Sequence, residues 1–251
     1  MSSKLYKSQI ERFSRQIILK SIGTQGQKKI LNSKVLIIGM GGLGCPVAEF
    51  LTRSGVEIIG IVDHDFISLS NIHRQSLYDK KDLGKSKVKI AKKKLKNINY
   101  KTKVNIFNFK LDKKNFENII KNYDYIVDGT DNFTAKFLIN DLSLKYKKFL
   151  VIGAVSKFDA HIFTFNFNNK KYACLRCFYQ EENISDEILN CEYEGILGTV
   201  AGIVGIMQAN EILKKILNIG QNLNGFILIL DFLNLNFRKV KLNKRKKCKC
   251  N

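Results

Sequence analysis

A glycine-rich segment at residues 39–44 restricts the fold more than any other feature of this chain. The segment reads Gly39-Met40-Gly41-Gly42-Leu43-Gly44 and fits the pattern G-x-G-x-x-G. It follows an apolar run at 34–38, typical of a buried strand, and precedes a helical stretch around 47–52. A Cβ at the glycines would block a tight turn and keep a phosphate away from the backbone amides. The pattern therefore predicts a phosphate-binding turn between a strand and a helix, formed by Gly39, Gly41, Gly42 and Gly44.

Strand-like and helix-like segments alternate through the first 155 residues. Strands are predicted at 34–38, 57–62, 103–109, 123–128 and 149–152, and helices at 8–30, 47–52, 85–96, 115–121 and 133–146. Such alternation predicts right-handed βαβ units, and hence a Rossmann-like, doubly wound α/β sheet.

The pattern of apolar and polar residues changes after residue 153. Residues 161–167 alternate apolar and polar side chains as antiparallel strands do, and a long apolar helix is predicted at 199–217. Two more strands are predicted at 226–230 and 237–242. We therefore expect a parallel N-terminal part of the sheet that continues into antiparallel strands.

A carboxylate and a polar stretch follow the second strand. Asp63 ends that strand, where a carboxylate meets a ribose hydroxyl, and by itself it would also suit an NAD-dependent oxidoreductase. Cationic and amide groups come next and suit a triphosphate better than a neutral nicotinamide. The stretch carries the hydroxyl of Ser70, the amides of Asn71 and Gln75 and the cation of Arg74, and Lys87 follows at the start of a helix.

The fourth strand leads into Asp128-Gly129-Thr130-Asp131-Asn132. A carboxylate at the carboxyl end of a parallel strand lies in the ligand crevice, where Asp131 would hold Mg²⁺ beside bound phosphates. A helix N-cap formed by Asp131 is the alternative.

Composition and charge exclude several classes of protein. The net charge of +21 invites a nucleic-acid interpretation. Yet the surplus is almost all lysine, spread over the whole chain, so we expect no nucleic acid as partner. Apolar runs such as 203–207 are too short to cross a bilayer, and the charged N-terminus lacks a secretory signal. We expect a soluble protein of the cytoplasm, or of an organelle stroma if organelle-encoded. Its cysteines should then be metal ligands or reactive thiols.

Together these segments resemble the E1-like ThiF/MoeB/HesA family of adenylyltransferases over nearly the whole chain. The resemblance rests on Arg12-Phe13-Ser14-Arg15-Gln16, the glycine segment, residues 70–75, residues 84–87 and residues 128–132. It continues through Cys174-Leu175-Arg176-Cys177 and Gly195-Ile196-Leu197-Gly198.

The resemblance implies a homodimer that binds Mg·ATP and adenylates the C-terminal glycine of a ubiquitin-like sulfur-carrier protein. That carrier would be ThiS- or MoaD-like, serving thiamine or molybdopterin biosynthesis, with a slight preference for thiamine. Sulfur would come from a separate donor such as a cysteine desulfurase. By motif position the nucleotide contacts would be Gly42, Asp63, Ser70, Asn71, Arg74, Lys87, Asp131 and Asn132. Arg15 would reach the neighbouring subunit's site.

The cysteines complete the implied assignments. Cys174 and Cys177 match half of a structural zinc site, and Cys248 and Cys250 would supply the other half. The second pair is Cys-x-Cys where the family has Cys-x-x-Cys, so it is the clearest departure from the pattern. Cys191 matches a cysteine that is catalytic in some members and dispensable in others.

We thus expect a single domain over residues 1–251. It would comprise a helical arm (1–33), a nucleotide-binding part (34–155) and a part for the carrier and the cysteines (156–251). An NAD(P)-dependent oxidoreductase of Rossmann type is the alternative function.

Overall fold

A computed structural model describes residues 5–169, 171–179, 195–248 and 250. Eight strands form one sheet in the order β3-β2-β1-β4-β5-β6-β7-β8. The strands are β1 (Lys34–Ile38), β2 (Ile58–Val62), β3 (Lys103–Phe107), β4 (Tyr125–Asp128), β5 (Phe149–Ser156), β6 (Asp159–Asn166), β7 (Phe226–Asp231) and β8 (Asn236–Lys241). The helices are α1 (Lys7–Arg12), α2 (Ser14–Ile17), α3 (Gly23–Leu31), α4 (Gly44–Ser54), α5 (Lys87–Ile98), α6 (Lys113–Ile120), α7 (Phe133–Lys145), α8 (Leu175–Phe178) and α9 (Gly198–Leu217).

The sheet changes direction at β5, as the sequence predicts. Strands β3, β2, β1, β4 and β5 are parallel neighbours. From β5 onward, β6, β7 and β8 pair in antiparallel fashion. The α/β fold with a parallel part that continues into antiparallel strands is therefore confirmed.

Two apolar cores cover the two faces of the sheet. Val35 and Ile37 of β1 face the core formed with α3, α4, α5 and α9. Leu36 and Ile38 face the opposite core, formed with α6, α7 and α8. Because both faces are covered, the central strands are apolar at nearly every position.

The helical segment predicted over residues 8–30 is divided into three short helices. The segment forms α1, α2 and α3, and its breaks have local causes. Phe13 lies between α1 and α2 and is only 3% exposed. Its ring packs against Gly55 so closely that a Cβ on residue 55 would lie 2.6 Å from a ring atom. Gly23 has φ +58°, a left-handed conformation that interrupts a right-handed helix. The arm therefore folds back on the domain.

Two other boundaries differ from prediction for clear reasons. Helix α4 begins at Gly44, because the end of the glycine segment itself forms the first helical turn. Strand β5 continues to Ser156, because its second half pairs with β6. Across the described part of the chain, none of the helices combines the length and apolar character of a membrane span.

Candidate active site

A cavity of about 680 Å³ opens where the carboxyl ends of the central strands meet. It lies beside β1, whose neighbours β2 and β4 are reached by crossovers in opposite directions. Ligands usually bind at such a point of a parallel sheet. Its walls include most of the residues that the sequence singles out. These are Gly39, Gly41, Gly42, Asp63, Asn71, Arg74, Gln75, Lys87, Asp131 and Asn132.

The glycine turn allows backbone to approach backbone. Gly39 has φ +87°, and a Cβ there would lie 2.7 Å from the carbonyl oxygen of Gly129. A Cβ on Gly44 would lie 1.9 Å from the carbonyl oxygen of Gly39. Gly44 does not line the cavity; it lets α4 start directly on the turn. The N-terminus of α4 consequently faces the crevice and favours negative charge there.

Asp63 fixes the geometry at the end of β2. Its Oδ2 accepts a hydrogen bond from the backbone N–H of Met40 at 2.7 Å, and its Oδ1 accepts one from the N–H of Asp65 at 2.8 Å. The carboxylate thereby ties the glycine turn to β2. Each oxygen retains a second lone pair, so a ribose hydroxyl could still donate to it.

Lys87 is held against the cavity wall by a partner that sequence reasoning missed. Its Nζ lies 2.8 Å from Oδ2 of Asp65, and its side chain is 7% exposed. The spacing Asp63-x-Asp65 is the signal that could have revealed this partner, since both carboxylates follow the same strand. An ammonium group has three donors, so Lys87 can keep Asp65 and also contact a phosphate.

Arg74 is positioned by a short 3-10 turn, Leu69–Asn71. Its Nη1 donates to the backbone oxygen of Ser70 at 2.8 Å. Its aliphatic stem lies 3.4 Å from where a Cβ on Gly42 would be, which brings the guanidinium group close to the glycine turn. The Ser70 side chain is not part of the cavity wall. Ser68 takes that position instead.

Gln75 presents a buried polar atom to the cavity wall. The residue is 3% exposed, and its Oε1 has no hydrogen-bond partner among the described residues. Unpaired buried acceptors are costly, which favours a ligand or water at this point. The unpaired acceptor and the glycine turn fit a bound nucleotide.

The turn after β4 brings Asp131 to the cavity. Asn132 caps α7, because its Oδ1 accepts a hydrogen bond from the N–H of Ala135 at 2.8 Å. Asp131 is therefore not the cap. Its exposed carboxylate accepts one long hydrogen bond, from Nδ2 of Asn132 at 3.4 Å, and keeps lone pairs for another ligand. Oxygen donors of this kind suit Mg²⁺.

The cavity wall also contains residues to which the sequence assigns no role in the site. Ile196 and Ala201 belong to it, as does the buried Lys136 of α7. Backbone contacts hold Ile196 in place: the oxygen of Gly195 accepts from the N–H of Lys157 at 3.1 Å. Ile196 belongs to the motif Gly195-Ile196-Leu197-Gly198, but that motif does not by itself place it at the cavity. Ala201 and Lys136 arrive there through tertiary packing and carry no local sequence signal.

Two predicted residues lie elsewhere. Arg15 is exposed on α2 and does not line the cavity. Cys191 lies outside the described residues, so its catalytic role stays a prediction. A different thiol, Cys45, is buried beside the glycine turn; burial raises its pKa to about 12, so it is a protonated packing residue rather than a nucleophile.

Four cysteines, two at α8 and two after β8, meet in one cluster. The Sγ atoms of Cys174 and Cys248 lie 3.5 Å apart, as do those of Cys177 and Cys250. All four sulfurs fall within 4.8 Å of one another. Zinc–sulfur bonds of about 2.3 Å separate tetrahedral sulfurs by about 3.8 Å, so the cluster fits zinc despite the shorter Cys-x-Cys pair.

The protonation of these thiols depends on their surroundings. Burial, together with the neighbouring thiols, raises the pKa of Cys250 to about 12 and raises that of Cys174 as well. Without a metal, both are therefore protonated at neutral pH. A bound metal would displace these protons.

The sheet order, the covered faces and the glycine turn define a protein of the Rossmann-like α/β class. The chain belongs to the ThiF family, whose sequence profile matches residues 13–251. This confirms the family resemblance seen in the sequence.

Two relatives and one solved structure illustrate the match. The chain is 34% identical over 245 residues to a Thermus thermophilus protein named sulfur carrier protein adenylyltransferase, covering 96% of this chain and 90% of that protein. It is 37% identical over 247 residues to adenylyltransferase and sulfurtransferase MOCS3 of Drosophila persimilis, covering 98% of this chain and 54% of that one. The chain thus spans about half the length of such insect relatives. The E. coli protein MccB, in a crystal structure with ATP, shares the fold: the TM-score is 0.82 at 22% identity, over 95% of this chain and 74% of that one.

Proposed function

We propose that this chain is an ATP-dependent adenylyltransferase that activates the C-terminal carboxylate of a ubiquitin-like sulfur-carrier protein. One observation carries the proposal: Arg74, Lys87 and Asp131, from three separate segments, line the same cavity as the glycine turn. Two cations and a carboxylate suit a magnesium-bound triphosphate. The Thermus relative, which the chain matches over most of its length, is named for this activity.

The residues of the chain would act by position and charge. Asp63 would accept a hydrogen bond from the ribose, while Arg74 and Lys87 would neutralise the phosphates. A carboxylate oxygen of the carrier attacks the α-phosphorus, and the bond from that phosphorus to its bridging oxygen breaks. Pyrophosphate leaves with the electron pair, and the carrier becomes an acyl-adenylate. Preorganised charges of this kind lower the barrier because they need no rearrangement in the transition state.

Two metal ions belong to the proposal. Asp131 would hold Mg²⁺, which neutralises the charge developing on the phosphates. Cys174, Cys177, Cys248 and Cys250 would hold a structural zinc ion. Because Cys174 precedes α8, Cys177 lies within it, and the second pair follows β8, zinc would join two distant parts of the chain.

The partners follow from the same assignment. The carrier would be ThiS- or MoaD-like, and a separate donor such as a cysteine desulfurase would supply the sulfur. The active protein would be a homodimer in which Arg15 of each subunit reaches the other subunit's cavity. The exposed position of Arg15, away from its own cavity, supports this arrangement.

Carrier-dependent exchange of labelled pyrophosphate into ATP tests the function. The protein is assayed with a ThiS-like carrier and, separately, with a MoaD-like carrier, both ending in Gly-Gly. We expect label in ATP only when a matching carrier is present, and none when that carrier lacks its last glycine. No exchange with either carrier would contradict the proposal.

Thermal protection separates this function from the oxidoreductase alternative. A ligand that binds only the folded state raises the melting temperature. We expect Mg·ATP to raise it and NAD to leave it unchanged; the reverse result would favour the oxidoreductase.

A further inference from the structure

Helix α7 contains a buried ion pair next to the cavity. Nζ of Lys136 lies 3.1 Å from Oδ2 of Asp128, and the two side chains are 1% and 0% exposed. The helix otherwise packs apolar residues such as Phe133 and Phe137 into the core. Burial of apolar surface does not explain why two charged side chains lie in this core, so the pair must have another role.

The second oxygen of Asp128 shapes the turn that leads to Asp131. Its Oδ1 accepts hydrogen bonds from the backbone N–H of Thr130 at 2.8 Å and from the Thr130 hydroxyl at 2.6 Å. This side-chain-to-backbone turn bends the chain directly after β4. The direction in which Asp131 leaves the turn therefore depends on where the Asp128 carboxylate is held.

Lys136 fixes that carboxylate relative to the rest of the domain. Its Nζ also donates to the backbone oxygen of Gly153 on β5 at 2.8 Å. From the other face, Nε2 of Gln208 on α9 donates to the backbone oxygen of Asp128 at 2.8 Å. Residues of β4, β5, α7 and α9 thus meet at one point directly below the turn.

Energetics argue that this arrangement serves precision more than stability. Removing two charges from water is costly, and a buried pair often stabilises a fold no better than apolar side chains of the same volume. A fully hydrogen-bonded pair does restrict its neighbours to one geometry. An outer contact of this kind orients the carboxylates that bind a metal.

We infer that Lys136 is a positioning residue, which acts through Asp128 and the turn at Thr130 to aim the Asp131 carboxylate into the cavity. The inference rests on the proposed function, because it assigns Asp131 to Mg²⁺. Lys136 itself needs no contact with the nucleotide, since its ammonium group is already bound to Asp128 and Gly153.

A double-mutant cycle tests the inference through binding. The readout is the Mg²⁺ concentration at which ATP binding, followed by calorimetry, reaches half its maximum. Lys136→Met should raise this concentration about 10-fold or more, and Lys136→Arg, which keeps the charge and the donors, should restore most of the loss. In an Asp131→Asn background, Lys136→Met should have no further effect, because the group that it positions is gone.

Lys145→Met is the matched control. Lys145 lies on the same helix, is exposed and pairs with Glu117 at 2.5 Å, far from the turn; its replacement should leave the Mg²⁺ midpoint unchanged. If Lys136→Met does not fold, Asp128→Asn combined with Lys136→Met removes both buried charges and carries the same expectation.

The outcomes separate the two levels of the proposal. No Mg²⁺-dependent ATP binding by the wild-type protein would overturn the proposed function. Binding that depends on Asp131 but not on Lys136, or a Lys136→Met loss of equal size in both backgrounds, would overturn the positioning role alone.

Discussion

At the scale of single residues, neighbouring carboxylates have different tasks because their partners differ. Asp63 accepts two backbone hydrogen bonds and holds the glycine turn. Asp65, two residues later, is bound to the ammonium group of Lys87. In the proposed complex the first would therefore face the ribose with lone pairs to spare, whereas the second would keep the Lys87 ammonium group in place for the phosphates.

Arg74→Ala and Lys87→Ala are each expected to slow the proposed reaction. Each substitution removes a positioned cation from the phosphates, where one such group contributes ~10²-fold or more to the rate. The measurement is carrier-dependent pyrophosphate exchange at saturating ATP.

Exposed cations on neighbouring helices serve as controls. Arg53 pairs with Glu49 on α4, and Lys89 lies exposed on α5. Neither lines the cavity, so Arg53→Ala and Lys89→Ala should retain full exchange. Normal exchange in Arg74→Ala or Lys87→Ala would rule out the corresponding assignment.

Sequence patterns predict the residues of the site whose chemistry belongs to a local motif. Asp63 and Asp131 follow strands, Lys87 begins α5, and Arg74 follows the short 3-10 turn at Leu69–Asn71. Each belongs to a local motif at the carboxyl end of the sheet, so their common position follows from the fold. Ser68 and Lys136 could not be found in this way, and the motif that contains Ile196 does not by itself place that residue at the cavity. They reach the cavity through a short turn, a distant backbone contact and a buried helix face, none of which has a sequence period.

At the scale of elements, α7 connects the cavity with the cysteine cluster. Its N-terminus presents Asn132 at the cavity. Near its middle, Oδ1 of Asn140 accepts a hydrogen bond from the N–H of Leu175 at 3.0 Å. Asp141 binds Arg176 through two hydrogen bonds of 2.7 and 2.8 Å. Because Leu175 and Arg176 lie between Cys174 and Cys177, the helix fixes the backbone between two of the proposed zinc ligands.

Asp141→Ala is expected to weaken zinc binding. Loss of the paired contact to Arg176 frees the backbone between Cys174 and Cys177, and outer contacts of this type contribute roughly 10-fold to metal affinity. A competition titration with a chromophoric chelator measures the change. Glu117→Ala, which removes the exposed contact to Lys145, should leave zinc affinity unchanged. Equal affinities in wild type and Asp141→Ala would contradict this role for α7.

The elements also differ in how well the sequence predicts them. Strands β1 and β2 are buried on both faces, so they read as continuous apolar runs with clear ends. The N-terminal arm misleads because its helical composition hides two breaks. One break depends on the contact of Phe13 with Gly55 and the other on the left-handed conformation of Gly23. The break at Phe13 depends on a tertiary contact, which the sequence does not show. The break at Gly23 is local, but a lone glycine within a helical pattern is a weak signal.

At the scale of the whole molecule, the arm exposes apolar side chains that a single chain leaves in water. Ile18 is 73% exposed and Leu19 52% exposed, three and four residues after Arg15. Ile203 of α9 and Phe50 of α4 are also exposed, at 43% and 40%. Exposed apolar groups of this kind are typical of contact surfaces between subunits. These exposed side chains support the proposed homodimer. Arg15, which would reach the partner's cavity, lies close in sequence to the exposed Ile18 and Leu19.

Mixed dimers of Arg15→Ala and Asp131→Ala chains test whether the site is shared. In a symmetric dimer, one site of each mixed pair would combine an intact Asp131 with the partner's intact Arg15. Random co-assembly should then restore about one quarter of wild-type exchange activity, since half of the dimers are mixed and each has one complete site. A mixture of Arg74→Ala and Asp131→Ala should recover nothing, because both residues belong to the same chain's cavity. If the first mixture is as inactive as the second, Arg15 does not act across the interface, and its exposed position on α2 requires another explanation.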